Sequence, residues 1–270
     1  MPTTNPSGPP AAPPQPPHGA PARAGLRQAV ASEWTKLYSV RSNVWTLTTM
    51  AVATIGIAVL VAATGSLQPD DSIVAASLGN AVPGQIAAGV LGALVVCGEY
   101  SSGTIRATLA ACPRRLTVLT AKALVVAALV FVVALMATVV AYLAGAVLLS
   151  GQGHPAGEPV PALPGIALSF AAVAVLGVAA GTALRHPAGA VTAITGVLVL
   201  PALVAPLLGS WQRWLAGGSP AAALQKLAQP SDATPETLGS LGGWPTLALV
   251  CGYSVAALIA SGWLLRARDS

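Results

Sequence analysis

ALVVAALVFVVALMATVVAYLAGAVLL, residues Ala123 to Leu149, runs for twenty-seven positions without a charged side chain. At a rise of about 1.5 Å per residue, about twenty apolar residues cross the roughly 30 Å of hydrocarbon in a bilayer. A core helix of a soluble protein keeps a polar face, and this stretch has none. Its solvent is lipid. The whole chain agrees: 8% of its 270 residues are charged and 54% are apolar, against about 25% charged in soluble domains. Mean hydropathy is +0.73.

Working outward, five further stretches have spanning length: Trp45–Thr64, Ser77–Cys97, Ile166–Leu184, Ala188–Leu208 and Thr246–Leu265. Asn80, Pro83 and Gln85 predict a kink or break at the start of the second span. Pro201 and Pro206 in the fifth are tolerable where neighbouring helices satisfy the freed carbonyls. With the N-terminus inside, eleven of the thirteen basic residues fall on the cytoplasmic side, and only Arg213 and Lys226 fall outside. That bias orients the chain with both ends cytoplasmic.

The N-terminal residues 1–22 read as a disordered, proline-rich cytoplasmic tail, with nine prolines and no charge. They lack the basic start and apolar core of a signal peptide. Residues 23–44 then read as an amphipathic helix in the headgroup plane. Leu26, Val30, Trp34, Leu37, Val40 and Val44 recur at helical spacing, with Arg27, Ser32, Lys36 and Ser39 opposite.

Between spans two and three lies CGEYSSGTIRATLAACPRRLTVLTAK, Cys97–Lys122, which holds four of the basic residues. Ser101 or Ser102 can cap a short helix there, Ile105, Leu109 and Cys112 line one side, and Thr104 and Thr108 share another. Pro113 stops the helix, and Arg114 and Arg115 follow at its negative end, near lipid phosphates. Lys122 lies at a membrane edge, where its stem can snorkel.

The chemistry that is missing narrows function. There is no GxxxxGK[ST] phosphate loop, no HExxH and no GxSxG, so an enzyme reading is poor. Cys97, Cys112 and Cys251 have no metal or disulfide spacing, and no groove-reading motif supports a nucleic-acid partner. No span carries a charge at its middle, which disfavours a proton- or sodium-driven carrier. Gly177 and Gly181 form a GxxxG pair that serves as a packing face or arises by chance among 28 glycines. Trp211, Trp214 and Trp244 flank the long outer loop as belt residues, and Ser219–Gln229 within it predicts a short helix on or dipping into the outer membrane surface.

A membrane protein without its own energy source, carrying surface helices on its cytoplasmic side, suggests a partner that supplies energy. SEWTKLYSVRSNVWTL before span one and GEYSSGTIRATLAACPRRLTVLTAK after span two resemble the ABC-2-type permease family in its actinobacterial form. GYSVAALIASGWLLRARDS and the SPAAALQ loop fit the same family. The resemblance covers residues from about 26 to 270 and implies an all-α, six-helix transmembrane domain over 45–270. It further implies pairing with a second permease copy or homologue, and docking of a separate ABC ATPase subunit that uses ATP and magnesium. This chain itself would bind no cofactor. The coupling segment would then comprise Glu99, Tyr100, Ser101, Gly103, Thr104, Arg106, Thr108, Arg114 and Arg115. The interfacial helix would present Glu33, Trp34, Lys36 and Arg41. The expected role is the permease of an ATP-driven exporter in the plasma membrane. A non-transporting scaffold or an immunity or assembly subunit is the alternative.

Overall fold

The computed structural model describes residues 26–103, 115–230 and 233–268. The proline-rich tail, and the part of the expected coupling helix that carries Thr104, Arg106, Thr108 and Arg114, lie outside the described residues. Every regular element described is helical: α1 (Leu26–Ser39), α2 (Arg41–Thr64), α3 (Ile73–Leu78), α4 (Val82–Ser101), α5 (Arg115–Leu148), α6 (Pro159–Leu184), α7 (Pro187–Val204), a 3-10 segment (Ala205–Trp211), α8 (Gln212–Gly217), α9 (Pro220–Ala228), α10 (Pro235–Leu238) and α11 (Gly243–Arg268). Six of them, α2, α4, α5, α6, α7 and α11, are long and apolar enough to cross a membrane.

The helix ends follow local chemistry. The expected helix over 23–44 divides at Val40, whose extended backbone lets span one start afresh at Arg41. Arg41 therefore opens α2 and does not belong to the connecting helix. The break foreseen near Asn80 is real: α3 ends at Leu78, and α4 restarts at Val82 with Pro83 in its first turn, where a missing N–H costs nothing. Ser72 caps α3 by accepting from Ala75 N at 3.2 Å, and Ser219 caps α9 by accepting from Ala222 N at 3.1 Å. Gly209, at φ +52°, turns the chain out of span five in a conformation that side chains resist.

The hub is α6, against which α4, α5, α7, α9 and α11 all pack. Its closest neighbour is α4, and glycine is the reason. A Cβ added at Gly92 would fall onto the carbonyl oxygen of Ala174, and one at Gly177 onto that of Gly89. The GxxxG pair of span four is therefore a packing face, set against span two. Three hydroxyls inside the spans bond to the preceding turn of their own helices. Thr54 donates to Met50 O at 2.8 Å, Thr182 to Val178 O at 2.7 Å and Ser169 to Ile166 O at 2.7 Å.

Candidate functional site

On α1 the residues facing the protein are Val30, Glu33 and Leu37, one turn apart, with Glu33 and Leu37 buried. Trp34 falls beside this stripe and stays 45% exposed. A carboxylate in an otherwise apolar seam needs a partner, and α5 supplies it. Lys122 lies two turns into that helix, with its side chain 5% exposed. Its ammonium does not snorkel to the headgroups. It donates to Glu33 Oε2 and, at 3.0 Å, to Glu99 Oε1 in the last turn of α4. Lys36, one turn beyond Glu33, donates to Glu33 Oε1 at 2.8 Å and to Glu99 Oε1 at 3.1 Å.

Two acids and two bases thus form a neutral clamp that ties three elements together: α1, the end of span two and the start of span three. Neutrality is what allows the burial, because each charge faces two of opposite sign. Burial alone would pull the Lys36 pKa down, but its hydrogen bonds and attraction to Glu33 and Glu99 outweigh that and raise it above the ordinary lysine value. Nearby contacts brace the clamp. Asn43 at the start of α2 donates from Nδ2 to Leu37 O at 3.4 Å, closing the corner between α1 and α2. Arg185, at the end of span four, lies 5.2 Å from the ring centre of Tyr100.

Glu99, Tyr100 and Ser101 were expected in the loop, but they form the last turn of α4. Ser101 and Ser102 donate back to Gly98 O at 3.1 and 2.7 Å, so both hydroxyls serve the end of span two. Gly103 follows with φ +71°, and Arg115 opens α5. Sequence reasoning missed Lys122, Asn43 and Arg185 as partners. A signal for the first was present: on the side that the charge bias assigns to the cytoplasm, the only acids besides Asp269 are Glu33 and Glu99, and each needs a base.

The opposite end of α4 holds a second polar node. Gln85 is fully buried and donates from Nε2 to Ser169 Oγ at 3.0 Å and to Pro220 O at 3.3 Å. The second bond fixes the start of α9. Ala222, Ala223 and Leu224 are fully buried, and α9 packs against α3, α6 and α11. The short helix expected over Ser219–Gln229 is thus present, enclosed among α3, α6 and α11. Its buried face is apolar, Ala221–Leu224 with Leu227 and Ala228, while Gln225 and Lys226 fall on the less enclosed side.

Neither node has the makings of catalysis. The clamp's carboxylates are engaged by lysines, and no group of three or more metal-ligating side chains occurs among the described residues. The arrangement can hold helices in register and pass displacement between them. No curated protein matches the chain. A family model described as an ABC-2 family transporter protein matches residues 29–201, a stretch that includes α2 and α4–α6 and every residue of the charged clamp. The chain belongs to the ABC-2 family of transporter proteins, as a multi-pass membrane permease.

Proposed function

We propose that the chain is the transmembrane subunit of an ATP-driven exporter, worked by a separate ABC ATPase that docks on residues 104–114. The observation that carries this reading is the clamp. The segment 104–114 leaves α4 just after Glu99 and enters α5 just before Lys122, and these two side chains are joined at 3.0 Å. Both roots of the segment are therefore fixed to one buried ion cluster, which also includes the connecting helix α1. A push on the segment cannot be absorbed by sliding one root past the other. It moves α4 as a rod, and α4 carries Gln85 about 20 Å away at the far end, bonded to the buried outer helix α9.

In this reading ATP and magnesium are bound by the partner, and a second copy or homologue completes the substrate path. The chain lies in the plasma membrane with both termini in the cytoplasm. The family membership supports the permease role, and the charge bias supports the orientation.

The test is a cysteine at Thr104 or Thr108 in the full chain, co-expressed with its ATPase. Cross-linking to the ATPase is expected, together with ATP hydrolysis by the complex and none by the isolated chain. Cross-links to lipid only, or robust hydrolysis by the isolated chain after controls for contaminants, would overturn the reading.

A further inference from the structure

Among the described residues only two lysine or arginine side chains, Arg213 and Lys226, lie at the α9 end of the bundle, away from the clamp, and both line one cleft of about 1000 Å3. The cleft is bounded by α8, α9, the segment around α10 and the flank of α11, and its walls are otherwise largely apolar, with Trp214, Leu241 and Leu249 exposed at 68, 50 and 47%. That volume is at the upper end for a small-molecule site.

Lys226 is the informative residue. It is half-buried and has no carboxylate partner among the described residues. Its Nζ donates to Gly217 O at 3.3 Å and to Thr246 Oγ1 at 3.1 Å. These two neutral acceptors hold the ammonium in place and leave one of its three N–H groups unused. Burial lowers its pKa, as expected for a cation held where its charge is uncompensated. Arg213 is exposed on α8, likewise with no ion pair among the described residues, and offers the planar fork that matches an oxyanion. Glu236, the one acid of the lining among the described residues, sits exposed in the first turn of α10, so these lining residues sum to a net charge of +1.

We infer that this cleft binds a phosphate-headed amphiphile, with its headgroup between Arg213 and Lys226 and its chain along Trp214, Leu241 and Leu249. The site rests on the transport reading for its purpose, as the place where an exported or regulatory lipid-like ligand is held, but its chemistry stands apart from any ATPase. The two cations that line the cleft recognise the headgroup, and its apolar walls recognise the tail. Neither part alone accounts for a lysine that is fixed, half-buried and without a carboxylate partner among the described residues.

The experiment measures binding of dioctanoyl phosphatidic acid to the purified full chain in an uncharged detergent by equilibrium dialysis, with no ATPase present. The wild type is expected to bind it, inorganic phosphate and dioctanoylglycerol to compete poorly, and Arg213→Gln/Lys226→Met to weaken binding by at least about tenfold, as the loss of charge-assisted hydrogen bonds requires. Arg213→Lys/Lys226→Arg keeps the charge and should retain most of the affinity. Arg213→Gln alone alters an exposed residue, cannot fail through misfolding, and should weaken binding at least threefold. No binding by the wild type, unchanged affinity in both charge-removing variants, or dioctanoylglycerol or free phosphate competing as well as the lipid would each overturn the assignment. Such a failure would leave ATPase docking untouched, and a failure of docking would leave this binding intact.

Discussion

Lys122→Met tests the clamp most directly. The substitution keeps the length of the stem and removes the charge, so among the described residues Glu33 and Glu99, with side chains 3 and 12% exposed, face only Lys36, which is 38% exposed. Removing one partner of a buried, hydrogen-bonded pair costs about 3–5 kcal/mol, because the remaining charge stays in a poor solvent. At roughly 2–4 °C per kcal/mol for a chain of this size, the melting temperature should fall by about 6–20 °C. The readout is tryptophan fluorescence of the purified chain on heating in detergent.

The sharper test is a cycle with Glu33→Gln. The double variant keeps Glu99 and Lys36, a neutral pair at 3.1 Å. It should therefore be more stable than Lys122→Met alone, although it carries one more substitution. A melting temperature for Lys122→Met within about 2 °C of wild type would refute the reasoning, since it lies outside the loss expected from an orphaned buried charge. So would strict additivity in the double variant, which would mean that the two groups do not share an environment.

Four further outcomes follow from the same structure. Gly92→Ala and Gly177→Ala should each destabilise the protein by about 1–3 kcal/mol through overpacking at the α4–α6 contact, whereas Gly252→Ala, with open space around it, should not lower the melting temperature. Gln85→Met should release the start of α9 and raise the labelling rate of a cysteine placed at Ala222, and an unchanged rate would show that other contacts hold the helix. Because the folded pKa of Lys36 is raised, its stabilising effect should be present below the unfolded lysine pKa of about 10.4 and lost as pH rises through the higher folded value. The gap between wild type and Lys36→Gln should then be constant from about pH 7 to 10 and close above that range. Reporter fusions at Ser102, Arg185 and Ser270 should report cytoplasm and those at Gly153 and Ser231 the exterior, and an exterior signal at Ser102 would invert the topology.

The six spans were legible because a lipid-facing helix needs nothing but length and apolarity, and both are written along one strand of text. The break at Asn80 was legible for a related reason, since a proline two or three residues on marks a helix start. The clamp was not. Glu33 and Lys122 are 89 positions apart and Lys36 and Glu99 are 63 apart, so their meeting is a property of how α1 lies on α5. Lys122 looked like an edge lysine because its neighbours are apolar, and the same apolarity is what encloses its ion pairs. The helix over Ser219–Gln229 was legible from its own residues, but the neighbours that enclose Ala221–Leu224 come from α3, α6 and α11, far away in sequence, and were not.

The clamp also poses a question that stability alone does not answer. A buried ion cluster is often no more stable than an apolar one of the same size, and these helices have abundant alanine, valine and leucine with which to build an oily seam. What four charges provide is a single register. An apolar contact among α1, α4 and α5 could slip by part of a turn at little cost, whereas slipping this one would leave up to four charges without partners. At the other end of α4 the same logic recurs in neutral form, with the Gln85 amide bonded at once to span four and to the outer helix. Between them, a glycine face locks α4 to α6 too closely for even a methyl group. Span two is therefore pinned to α1 and α5 at its Glu99 end, to α6 along its length, and to α6 and α9 at its Gln85 end. A helix so constrained transmits displacement without dissipating it, and that is the property required when the energy comes from another polypeptide.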